Sequence, residues 1–156
     1  MTIKNKPTSF NYSYMRDIIG YLSFLVFART TKLATAHFAK IGLTTKEGMI
    51  IEFVANNPTA SQADIAREAG MKAPLLVKIL DDLTQKGLLL REPSPTDRRR
   101  HQLRLTEAGE AMREQIRASH LAGNTELFAG AGLSEEEIET LFKAMHKLAD
   151  HIQHNP

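Results

Sequence analysis

Residues 61–83 read SQADIAREAGMKAPLLVKILDDL. Ser61 is followed three residues later by Asp64, the spacing of a helix start. A serine hydroxyl accepts an amide proton left unpaired in the first turn, and the acid accepts the serine's own. The spacing predicts a short helix over 62–69, stopped by Gly70. Pro74 suits the first turn of a second helix, because its missing N–H has no partner there in any case. Leu76, Ile79, Leu80 and Leu83 give that helix one apolar face, and Gly87 ends it. Two helices joined by a tight turn have the spacing of a helix-turn-helix. In that arrangement the second helix fits the DNA major groove while the first braces it. Structural helix corners share the spacing, so the pair alone does not make a DNA reader.

The segment that follows adds to the argument. Residues 88–91 and 102–105 are short strand candidates, and the stretch between them is polar and rich in Arg and Pro, which predicts a hairpin with a long tip. The tip reads Pro93-Ser94-Pro95-Thr96-Asp97-Arg98-Arg99-Arg100-His101. Three consecutive arginines repel one another unless an anion compensates. DNA phosphates supply that charge, and a narrow minor groove deepens the potential that attracts arginine. Asp97 within the run suits a bidentate pair that holds one guanidinium in place. A helix-turn-helix followed by such a hairpin is a winged helix.

On the N-terminal side, residues 1–13 are polar and aperiodic, expected as a mobile arm. From 14 to 39 apolar residues recur at helical spacing, with Ile18, Leu22, Leu25, Val26, Leu33 and Ala36 on or beside one stripe. Gly42 ends that helix. Thr44 with Glu47 repeats the capping spacing and opens a helix to about residue 55, broken by Asn56-Asn57-Pro58. On the C-terminal side, Thr106 caps a long helix to about residue 127. Gly130 and Gly132 interrupt it, and Ser134 with Glu137 opens a last helix to about 152, its early glutamates suited to the helix dipole. The fold class is therefore mainly α with a small β-hairpin wing.

The chain has 156 residues, 42% hydrophobic and 24% charged, which fits one compact domain with added helices. That composition excludes collagen, a mucin-like stalk and a largely disordered chain. No cysteine is present. A disulfide scaffold, a cysteine nucleophile, a thiol redox sensor and a Cys-ligated zinc site are excluded, and a cytoplasmic location is expected. No apolar run reaches the roughly 18 residues of a membrane span. Residues 18–28 are mostly apolar behind Lys4, Lys6 and Arg16, as in a signal peptide. Asp17 at the edge, and an amphipathic pattern continuing through Arg29, Lys32, Leu33 and His37, argue against export. Net charge is only +2, but residues 84–104 carry six basic and two acidic side chains, whereas 105–156 carry four and nine. A basic block between a near-neutral and an acidic arm reads as a local anion-binding surface or as a solvated charge run.

Asp97-Arg98-Arg99 followed by Leu103-Arg104-Leu105-Thr106-Glu107-Ala108-Gly109 resembles the wing signature of the MarR (multiple antibiotic resistance regulator) family. Gln62-Ala63-Asp64-Ile65-Ala66, Leu83, and Gly87-Leu88-Leu89 with Arg91 also match its pattern, and the resemblance covers about residues 14–150. It implies a winged helix-turn-helix lobe over 44–105, with dimerisation helices at 14–43 and 106–156. It further implies a homodimer on double-stranded DNA carrying a palindromic operator, and repression relieved by a small, often aromatic effector. Carried onto this chain, Arg99 is the minor-groove arginine and Asp97 its orienting partner. Arg98, Arg100 and Arg104 are phosphate contacts. The recognition helix spans 73–86, and its DNA-facing positions fall on Ala73, Pro74, Leu75, Val77 and Lys78. Here the chain departs from the family, which commonly has Ser, Thr, Lys or Arg there. Leu75 and Val77 suit thymine methyls; equally, they suit a helix that reads bases weakly and leaves specificity to the wing and to DNA shape.

The resemblance places an effector pocket between the first two helices, the fifth helix and the DNA-binding lobe. Arg29 shares a face with Leu22, Val26, Leu33 and His37, and a charge on an apolar stripe needs an anionic partner. That partner is either a ligand carboxylate or an acid of a neighbouring helix or subunit, the latter being the commoner arrangement. His37 suits either a ligand contact or an internal hydrogen bond. Tyr21, Phe24, Phe27, Met49 and Phe53 suit an aromatic pocket or plain core. Gly48 early in its helix costs about 1 kcal/mol against Ala, and leaves room for a ligand or for close packing. His146, His151, His154 and His120 lack the i, i+4 spacing of a zinc site on one helix, so no metal and no cofactor is expected. No nucleophile elbow, phosphate loop or dinucleotide fingerprint is present, so no enzyme is expected either. The alternative to a ligand-responsive repressor is an architectural or protein-contact winged helix without a small-molecule ligand.

Overall fold

The helix starts are set by side chains that the sequence places there. Thr44 Oγ1 accepts from the Glu47 amide at 3.2 Å, while Glu47 Oε2 accepts from the Thr44 amide at 2.6 Å. Ser61 and Asp64 make the same reciprocal pair at 3.2 and 3.0 Å, as do Ser134 and Glu137 at 3.2 and 2.7 Å. Thr106 Oγ1 accepts from the Gly109 amide at 2.9 Å. Each pair satisfies amides that a helix leaves open at its first turn. Gly42, Gly70, Gly87, Gly130 and Gly132 take positive φ where the chain turns between elements, a conformation only glycine adopts without strain.

The computed structural model describes residues 13–93 and 101–154. All but the last residue of the expected arm 1–13 lies outside them. After a 3₁₀ turn at Tyr14–Asp17 come α1 (Ile19–Lys40), α2 (Thr45–Asn56), α3 (Gln62–Glu68) and α4 (Ala73–Gln85). The hairpin β1 (Leu89–Pro93) and β2 (His101–Leu105) precedes α5 (Glu107–Phe128) and α6 (Glu135–His154). The strands are antiparallel, with Leu89 opposite Leu105 and Arg91 opposite Leu103. One correction concerns the first helix, expected to be continuous from residue 14. Ile18 is extended, at φ −99° and ψ 110°, and separates the 3₁₀ turn from α1.

The core lies in the lobe. Phe38 from the end of α1 packs with Ile50, Ile51 and Val54 of α2, with Ile65, Leu76, Leu80 and Leu83 of the helix-turn-helix, with Leu89 and Leu103 of the hairpin, and with Ile116 of α5. On α1, Leu33 and Phe38 towards the C-terminal end are buried, while Leu22 and Val26 are exposed. Gly48 is explained by packing. A Cβ there would stand 2.0 Å from Phe38 Cε1, so its absence lets the Phe38 ring lie against α2. Glu47 is buried, and Lys86 Nζ reaches it at 2.6 Å while also donating to the Gly42 carbonyl at 3.0 Å. Burial pushes the Glu47 carboxyl up. The hydrogen bonds from Lys86 and Thr44, with the Lys86 charge, prevail and hold it below its ordinary range. Among the described residues, no helix is long and apolar enough to cross a membrane.

Candidate nucleic-acid interface

The α3–α4 pair is built as a rigid unit. Gly70 turns the chain at φ +60°, and the Met71 amide donates back to the Ala66 carbonyl at 2.8 Å. The Asp64 carboxyl, hydrogen-bonded by the Ser61 hydroxyl and amide and then by Arg67, is lowered to about 2 and stays ionised at the helix start. Helix α4 buries Leu76, Ile79, Leu80 and Leu83 and turns Ala73, Pro74, Leu75, Val77 and Lys78 outward. All five positions expected to face DNA are exposed on this one helix. Leu75 is 37% and Val77 42% exposed. The far half of α4 is different: Asp81 accepts from Arg91 Nη2 at 2.6 Å, tying the helix to β1.

The hairpin base is fastened to the lobe. Gln102 Nε2 donates to the Pro58 carbonyl, and Thr106 Oγ1 donates to the Gly87 carbonyl at 2.7 Å. Arg104 is exposed on β2 and lies 3.6 Å from Glu92 on β1. Asp97, Arg98, Arg99 and Arg100 lie outside the described residues. The sequence did not reveal an open groove of about 480 Å³ between the start of α2 and α4, bordered by Lys46, Glu47, Leu75, Lys78, Asp82 and Lys86. Its walls come from segments about 30 to 40 residues apart, so no local pattern announces it.

A second cluster joins α1 to α5. His37 Nε2 lies 3.2 Å and Arg29 Nη2 3.6 Å from the Glu126 carboxylate. Glu126 is thus the internal acid that Arg29 needs, although Arg29 is half-exposed rather than buried. Phe24 is largely exposed, Tyr21 and Met49 are half-buried, and Phe53 packs against the core. Among the described residues, no group of three or more His, Asp or Glu side chains is placed to hold a metal ion.

Residues 41–100 match the model of the MarR family. The fold also matches solved structures over most of the chain. The transcriptional repressor CouR bound to a 23-mer DNA duplex superposes with a TM-score of 0.79 at 24% identity, covering 91% of this chain and 99% of that one. A probable transcriptional regulator from Pseudomonas aeruginosa gives 0.72 at 26% identity, over 86% and 98%. A Mycobacterium tuberculosis MarR family protein in complex with p-aminosalicylic acid gives 0.72 at 23% identity, over 85% and 98%. Over residues 41–100 the chain is similar to the MarR family. The match to the MarR family model takes in α2, the helix-turn-helix, β1 and the arginine-rich segment, whereas Arg29, His37 and Glu126 lie outside it. MarR family proteins are transcription regulators, not enzymes.

Proposed function

We propose that this chain is a MarR family transcriptional repressor that binds a palindromic operator as a homodimer and is released by a small aromatic acid or its thioester. The observation that carries the DNA-binding part is the outward face of α4. Five consecutive-turn positions, Ala73, Pro74, Leu75, Val77 and Lys78, stand clear of the core on the second helix of a helix-turn-helix. The basic segment 84–104 follows it directly. In this reading α4 enters the major groove, Arg99 enters the minor groove held by Asp97, and Arg98, Arg100 and Arg104 meet phosphates. The DNA-bound state of CouR supports it.

Dimerisation is supported by apolar side chains that the single chain leaves uncovered. Helix α1 exposes Phe24, Leu25, Val26 and Phe27, and α6 exposes Leu141, Phe142, Met145, Leu148 and Ile152. Patches of this extent on a soluble chain mark an interface. A dimer that spaces two recognition helices by about one DNA turn, roughly 34 Å, fits two half-sites. For the effector, Arg29 and His37 already converge on one carboxylate, Glu126, and a ligand acid entering there takes that place. This reading assigns the aromatic Tyr21, Phe24 and Phe53 and the apolar Met49 to the effector pocket, and the p-aminosalicylic acid complex of a similar protein supports an aromatic acid. Release requires that the ligand bind the two lobe spacings with different affinity.

The test is a fluorescence-anisotropy titration of labelled DNA from upstream of the protein's own gene against scrambled DNA, at about 150 mM salt because such affinities depend on salt. Wild type binds the first selectively. Arg99→Ala loses tenfold or more in affinity with the fold and dimer intact, and unchanged affinity removes the wing from the interface. Calorimetry with a panel of aromatic acids tests the effector, and no binding by any of them removes it.

A further inference from the structure

We infer that the recognition helix selects operator half-sites by the C5-methyl groups of thymine, so that its base readout is mainly apolar rather than hydrogen-bonded. The inference rests on the DNA-binding reading above and names what that surface recognises. Of the five outward positions in the first two turns of α4, only Lys78 carries a side-chain hydrogen-bond donor. At about 100° per residue, Pro74 and Lys78 form the central strip of the exposed face, with Leu75 on one side and Val77 on the other. Leu75 and Val77 are both more than a third exposed. The single apolar feature that a base pair presents in the major groove is the thymine methyl.

Charge fixes which part of the helix is read. Lys72 and Lys78 bracket Leu75 and Val77, Lys46 stands across the groove that Leu75 borders, and none of the three meets a carboxylate among the described residues. Asp82 lies in the far half of α4, where Asp81 is already paired with Arg91. A phosphate-lined groove repels that half and attracts the first two turns. This leaves the apolar positions against the base edges and Lys78 with a donor for a phosphate or a purine acceptor. A partner protein surface would gain nothing from the flanking lysines unless it were acidic, whereas DNA satisfies both the apolar and the basic features.

The experiment begins with selection of bound duplexes from a random library by the intact protein. Each thymine of the selected half-site is then replaced by deoxyuridine, which removes only the methyl. At one or more positions each replacement is expected to weaken binding about fourfold, the effect of one lost buried methyl. Cytosine substitution at the same position weakens binding, and 5-methylcytosine recovers part of the loss. Leu75→Ala or Val77→Ala abolishes the deoxyuridine effect at its own position while leaving the other position sensitive. Tight, selective binding that is indifferent to deoxyuridine everywhere overturns the methyl readout and leaves DNA binding standing. Failure to select any duplex overturns both.

Discussion

At Gly48 two opposing effects can be weighed. Replacing a glycine within a helix by alanine ordinarily gains up to about 1 kcal/mol. Here the new methyl would meet three atoms of the Phe38 ring between 2.0 and 2.9 Å. The ring is itself fully enclosed and cannot swing aside. Overpacking of a well-filled core costs about 1–3 kcal/mol, and contacts this short lie at the upper end. Gly48→Ala is therefore expected to lower stability by about 1–2 kcal/mol net, read as a fall in thermal midpoint; a rise would show that α1 yields at Phe38. Gly109 is a related case, since a Cβ there would stand 2.1 Å from the Leu88 carbonyl oxygen. The sequence flags Gly48 as costly but leaves open whether a ligand or a neighbour fills its space. Only the position of Phe38, ten residues away, decides it. The same limit applies to Arg29: its need for an acid is legible, but Glu126 is not, because that contact is made across two helices.

Elements were more legible than contacts. The capping pairs Thr44–Glu47, Ser61–Asp64 and Ser134–Glu137 are local, and all three start helices where the spacing places them. The break at Ile18 was not legible, because helical periodicity of apolar residues passes over a single extended residue. Nor was the tie between elements made by Glu47 and Lys86, which stand 39 residues apart. This tie fastens the end of α4 to the corner between α1 and α2. It also carries a pH dependence whose sign follows from Glu47. A carboxyl held below its ordinary value of 4.5 contributes stability that is complete above that value and disappears as the pH falls through the lower, folded-state value. Glu47→Gln is expected to cost about 1–2 kcal/mol at pH 7, because Lys86 is part-exposed and water screens the pair. In urea titrations the gap to wild type narrows as the pH is lowered below about 4.5. A gap unchanged at pH 3 would mean that the carboxylate charge plays no part.

On the scale of the molecule, a filled core and an unfilled surface lie side by side. The enclosed side chains run from Leu33 to Ile116, while among the described residues α6 buries none of its own. Helix α6 therefore contributes little to the folding of one chain, and in the proposed dimer it offers its apolar face to the partner copy. Phe142→Glu combined with Leu148→Glu is expected to give a monomer by light scattering, with a cooperative melt retained by the lobe and operator affinity reduced. A dimer that survives both charges would place the contact elsewhere. The strut at Lys86 has a mechanical meaning on this scale as well. Helix α4 has 13 residues and so is about 20 Å long, gripped at its C-terminal end by Lys86. A tilt of about 5° about that grip moves Ala73 and Pro74 by about 1.7 Å, half a base-pair step, while Lys86 scarcely shifts. The α1–α2 corner acts as the short arm of a lever whose long arm ends at Ala73 and Pro74.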